Sequence, residues 1–183
     1  AWAAWACGRL RAFEALDPLA DAVRAEVDPF LRRQAASALR RLGVPEAAFD
    51  LAAAIEEVSG VFARQATAKQ PLAFDALDTT SRLLAALVEA YAVSSPGDEA
   101  GGGIEAHVVL AVLKDGRPVR ARPELAEDAT APRARLARAV GRAYRTLGAE
   151  KTLMDMLRVV LKKEPAVLEA AVAGYAEGVV RDD

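Results

Sequence analysis

Prolines and glycines cut this chain into stretches whose apolar side chains recur every three or four residues, a spacing that gathers them on one face only in an α-helix. Trp2, Trp5, Ala6, Leu10, Phe13 and Leu16 share one side of a helical wheel, and Asp17-Pro18 then offers a helix cap followed by a first-turn proline. Asp28-Pro29 repeats the device and opens a helix over Phe30 to Leu42, which Gly43 is placed to end in the left-handed conformation. Pro45 opens a segment from Glu46 to Ala66 with Leu51, Ala54, Ile55, Val58 and Phe62 facing inward, and Gly60 is a point where it can kink or break. After Pro71, Asp78-Thr79-Thr80 is expected to cap a helix over Ser81 to Val93 that carries Leu83, Leu84, Leu87 and Tyr91. Three more helices are expected over Ala131 to Leu147, ended by Gly148, over Glu150 to Lys163, and over Pro165 to Val180.

The expected fold is therefore mainly α, a helical bundle of about seven or eight helices. One stretch interrupts the pattern: Ser94 to Gly103 has the Gly, Ser and Pro content of a flexible linker open to proteases. It divides an N-terminal helical half, 1–93, from a C-terminal half, 104–183, and the two are expected to pack as one domain. Ile104 to Leu113 is apolar and rich in Val, and Asp115-Gly116 predicts a turn, so a short β-hairpin is expected over 104–122, with a helix over Ile104 to Leu113 as the rival. An offset of 105 residues lays Arg33, Ala38, Arg40, Leu42, Gly43 and Asp50 over Arg138, Ala143, Arg145, Leu147, Gly148 and Asp155; an old duplication of a helical hairpin and coincidence in a chain of few residue types both produce such a match.

With 183 residues the chain can bury a sizeable core, and 53% hydrophobic against 27% charged residues excludes both a disordered chain and a membrane bundle. Aromatic residues are only 5%, so the core must be built of Ala, Leu and Val. Alanine faces let helices approach closely but bury little area each, so a homo-oligomer is expected, in which a second subunit completes the burial. No apolar run approaches the length of a membrane span, and a cytoplasmic location without membrane partners is expected. The start at Ala1 rather than methionine suggests a trimmed or internal fragment.

The residue inventory removes most chemistries. One Cys excludes a disulfide framework and thiolate zinc sites, and one His excludes multi-histidine metal sites. His107, among Ala106, Val108 and Val109, reads as a core or edge histidine before it reads as a base or haem ligand. Cys7 has no nucleophile signature around it, and Gly101-Gly102-Gly103 lacks the Lys-Ser or Lys-Thr of a phosphate loop. Glu46, Asp50 and Glu57 line a helix face with Arg64, as an ion-paired solvent face does. No catalytic residue, no cofactor and no metal is expected.

Charge is unevenly spread. Residues 114–145 hold nine basic residues against four acidic, a net +5, which leaves −7 for the remainder of a chain at −2. Arg135, Arg138, Arg142 and Arg145 form a ridge opposite Leu136, Val140 and Leu147, and Arg32, Arg33, Arg40 and Arg41 form another with no acid between Phe30 and Val44. Such ridges suit an anion or an acidic partner, nucleic acid included, or pair with Glu and Asp of neighbouring helices; the negative remainder of the chain favours pairing. Arg9 falls among Trp2, Trp5 and Phe13, where its guanidinium can stack on an indole, and these four residues are the candidate interface.

The leading functional expectation is a non-catalytic regulatory or adaptor module that works through protein-protein contacts and self-associates. The alternatives are a nucleic-acid or acidic-ligand binder using the two arginine faces and a helical sensor domain with a small apolar ligand between its helices. An enzyme ranks last.

Overall fold

The computed structural model describes residues 1–67, 74–95, 123–148, 154, 155, 157 and 164–178, with the side chains of 66, 67, 74, 75 and 123–130 outside that description. Among the described residues every regular element is helical: α1 (Trp2–Arg9), α2 (Leu16–Ala25), α3 (Pro29–Leu42), α4 (Ala48–Thr67), α5 (Phe74–Ser94), α6 (Pro123–Leu147) and α7 (Pro165–Glu177), with single 3-10 turns at Phe13–Ala15 and Pro45–Ala47. The mainly α helical bundle expected from the sequence is the observed architecture. The hairpin over 104–122, the rival helix over Ile104 to Leu113 and His107 lie outside the described residues, as do most of the linker and most of Glu150 to Lys163; Met154, Asp155 and Leu157 are helical.

α5 is the centre. It packs on α3, α4 and α6, α6 in turn packs on α7, and α1 and α2 lie against α3. Phe62, Leu39, Leu51, Leu84, Leu87 and Leu136 are fully buried where these helices meet, and alanines such as Ala35, Ala36, Ala38, Ala90, Ala137 and Ala171 fill the seams. A seam of methyl groups fills close-packed space without strain, which is how a chain poor in aromatics closes a core.

Several helix ends follow their local chemistry. The Asp28 carboxylate accepts from the Phe30 N–H at 2.8 Å with Pro29 at the first position, and Gly43 closes α3 at φ 61°. Gly148 and Gly178 likewise follow α6 and α7 at φ 71° and 69°.

Several boundaries differ from expectation. The first apolar stripe is broken, because α1 stops at Arg9 and a turn precedes α2. α2 starts at Leu16, so Asp17 lies in its first turn instead of capping it, and Pro18 still occupies a position with no intrahelical partner for an N–H. α4 runs through Gly60, since the burial of Val58 and Phe62 on either side outweighs a glycine cost of about 1 kcal/mol. Asp78-Thr79-Thr80 lies inside α5. There the Thr80 and Ser81 hydroxyls donate to the carbonyls of Ala76 and Asp78, at 2.9 and 2.8 Å, so these side chains satisfy themselves without ending the helix. Upstream of Ala131, α6 extends back to Pro123 with Pro132 in its interior, and downstream of Val93, α5 continues through a buried Ser94.

Candidate functional site

Two constellations merit examination as sites: the arginine faces and the aromatic face of α1. The arginines of α3 divide by direction. Arg32 is buried; its Nε donates to the Val23 carbonyl at 2.8 Å, and its guanidinium forks onto Glu57 of α4, at 2.8 and 3.3 Å. It thereby satisfies a carbonyl in the last turn of α2 and ties three helices together. Arg33 lies over the Phe30 ring, 5.2 Å from its centroid, Arg40 donates to Glu89 of α5 at 2.9 Å, and Arg41 is half-buried in the last turn.

The arginines of α6 behave similarly. Arg135 pairs with Asp78 and, at 3.2 Å, with Ser81 of α5. Arg138 pairs with Glu177 of α7, its Nε donating at 3.0 Å. Arg142 bridges Glu89 at 3.0 Å and Glu177 at 3.6 Å, and Arg145 lies 5.4 Å from the Tyr175 ring centroid. Arg40, Glu89, Arg142, Glu177 and Arg138 thus form one chain of alternating charge across α3, α5, α6 and α7. Arg133, buried, adds a pair with Glu164 at the start of α7. These guanidinium groups face carboxylates and rings of the same chain.

The charge network perturbs its carboxylates in the expected direction. Burial raises the Asp78 pKa, but hydrogen bonds from Arg82 and Arg135 outweigh it and hold the group below its ordinary value. The hydrogen bond from Arg138 holds Glu177 below its ordinary value against a smaller opposing effect of burial, with Arg142 assisting. The acidic stripe of α4 is taken apart in the same way: Asp50 meets Arg24 of α2 at 3.3 Å, Glu57 meets Arg32, and Glu46 belongs to the preceding 3-10 turn.

The N-terminal face is built differently. α1 lies on α3 through Ala4 and Gly8, both buried, and a Cβ at Gly8 would stand 2.8 Å from the Ala38 Cα. Small residues of α1 face inward and its large ones face out, Trp2 81% exposed and Trp5 43%; just beyond the helix Leu10 is 79% exposed and Phe13, in the 3-10 turn, 54%. The two indoles meet edge to face with centroids 5.9 Å apart, and the Arg9 guanidinium lies 5.9 Å from the Trp5 ring centroid. The four residues singled out in the sequence, Trp2, Trp5, Arg9 and Phe13, therefore lie on one short stretch of chain, all exposed.

Sequence reasoning missed Arg11. Its φ of 50° is the only left-handed value at a non-glycine among the described residues. The Ala12 N–H donates to the Cys7 carbonyl at 2.9 Å and the Arg11 N–H to the Gly8 carbonyl at 3.4 Å, a Schellman closure with arginine in the glycine position. A helix stop without glycine leaves no mark in the sequence. Among the described residues, Arg9, Arg11, Glu14 and Asp17 enter no ion pair, in contrast to Arg133, Arg135, Arg138 and Arg142 of α6.

Among the described residues no group of His, Cys, Asp and Glu is arranged to hold a metal ion, and no helix is long and apolar enough to cross a membrane. Comparison with protein-family models, with curated proteins and with solved structures finds no match to this chain.

Proposed function

We propose that this chain is a non-catalytic helical module of the regulatory or adaptor kind, which acts through protein contacts made by the outward face of α1. The observation that carries the reading is the exposure of Trp2, Trp5, Leu10 and Phe13 on one short segment. Tryptophan, with arginine beside it, is the residue type most enriched in the energetic centres of protein interfaces, and contiguous exposed apolar surface is uncommon on a free monomer. The arginine faces supply no comparable surface, because their guanidinium groups are engaged within the fold.

A photoreactive amino acid in place of Phe13, in the full chain inside cells that produce it, tests the reading. Irradiation is expected to give discrete protein adducts that disappear when Trp2 and Trp5 are replaced by Ala. Absence of any protein adduct, or adducts indifferent to those replacements, overturns it.

A further inference from the structure

Building on the reading of α1 as a contact surface, we propose that its occupant is the same face of a second copy, related by a two-fold axis, and that Arg11 is a charged contact across that axis.

Three observations lead there. The first is area: at their exposures Trp2, Trp5, Leu10 and Phe13 offer roughly 550 Å² of surface, most of the share one partner contributes to a standard interface of about 800 Å² a side. Fully covered, these residues in two copies would bury about 1,100 Å², above the roughly 1,000 Å² that separates specific interfaces from incidental ones. The second is charge: along this segment the bases Arg9 and Arg11 precede the acids Glu14 and Asp17, all exposed. A partner of one sign leaves half of these unmatched. A reversed second copy presents its acids to these bases and its bases to these acids, which is the self-complementarity an isologous interface requires.

The third is strain. Arg11 occupies a left-handed position where glycine costs nothing, and the turn it closes sets Leu10 and Phe13 outward. A side chain kept at such a position, and engaged in no ion pair among the described residues, is accounted for by a contact outside its own subunit.

Light scattering on the purified full chain, over a concentration series, tests this. The mass is expected to rise from 19.3 kDa to twice that value in the micromolar range. Replacing Trp2 and Trp5 by Ala, both solvent-facing, is expected to weaken the dimer about tenfold or more while circular dichroism stays unchanged. Arg11→Gly is expected to raise the melting temperature of the monomer and to weaken the dimer. The decisive arm is a charge swap. Arg9→Glu/Arg11→Glu and Glu14→Arg/Asp17→Arg chains should each be monomeric, and their equimolar mixture should dimerise. A mass of one chain throughout the series, or a mixture no more associated than its components, overturns the proposal. If cellular cross-links from position 13 then reach other proteins and depend on Trp2 and Trp5, the contact-surface reading stands while the second copy falls.

Discussion

α1 and α7 are both terminal helices of the described fold that dock through glycine, yet they are held in opposite ways. α7 crosses α6 where Gly141 and Gly174 face each other's backbones: a Cβ at Gly141 would overlap the Ala171 carbonyl oxygen and lie 2.7 Å from the Tyr175 nitrogen, and one at Gly174 would overlap the Arg138 carbonyl. Around that crossing stand the Arg138 and Arg142 pairs with Glu177, the Arg145 contact with Tyr175, and the Arg133 pair with Glu164. α1 has the close approach at Gly8 and Ala38 but no such surround, and its aromatic residues point away. Close backbone approach alone is enough to place a helix; what the side chains around it do decides whether the outer surface is finished or left for something else.

The largest effect expected is at the tighter crossing. Gly174→Ala puts a methyl on backbone that cannot rotate aside and should cost about 3 kcal/mol in urea denaturation, whereas Gly8→Ala should cost about 1 kcal/mol, part of the clash being offset by the better helix propensity of Ala. Equal costs at the two positions would dissolve the distinction between the two docked helices.

Next in size is the pair of adjacent arginines on α3. Arg32→Ala strands the Val23 carbonyl and removes the fork onto Glu57, and should cost about 2 kcal/mol, while Arg33→Ala should change stability by no more than about 0.5 kcal/mol. Thermal or chemical unfolding of the two single variants reads this directly. A similar loss from both would mean that Arg32 is not what staples α2, α3 and α4 together.

The smallest expected effect is with pH. Asp78 and Glu177 are held below their ordinary values of 3.8 and 4.5, so the stability they lend is fully present above those values and is lost as pH falls through the lowered ones. Acid should therefore loosen the packing of α6 against α5 and α7 before it loosens α1. Hydrogen exchange resolved by segment, from neutral pH to about pH 3, checks the order; Asp78→Asn should flatten the response at α5 and α6. Loosening of α1 first would show that carboxylates near it matter more than the exposed positions of Glu14 and Asp17 imply.

Much of the fold was legible because helix signals are local. Asp28-Pro29, Gly43, Gly148 and Pro165 act through their own backbone angles and hydrogen bonds, and the spacing of Leu51, Ile55, Val58 and Phe62 defines a buried face whatever lies opposite. The candidate interface was legible in part, since a Trp-Arg cluster has a meaning at short range. Several boundaries were not legible, and at two of them the deciding partner is distant. Asp78 stays within α5 with its carboxylate held by Arg135, 57 residues away, as well as by Arg82. Gly60 stays helical because its neighbours are buried against another helix.

The sequence by itself determined that this chain is helical, where several of its helices begin and stop, and that few side chains in it could carry chemistry, because those properties depend on residue type and on spacing of a few positions. Only the tertiary structure decided which face of each helix looks inward. Trp2 and Trp5 would be the inner face of α1 by hydrophobicity, but Ala4 and Gly8 allow a closer approach to Ala38, and the indoles are left in solvent. The arginine ridges would be outer faces by charge, but Glu57, Glu89 and Glu177 from other helices meet them in the seams. A helical wheel ranks faces by their own polarity; packing ranks them by fit to a partner, and the partner's shape and charge are not encoded within the helix being read.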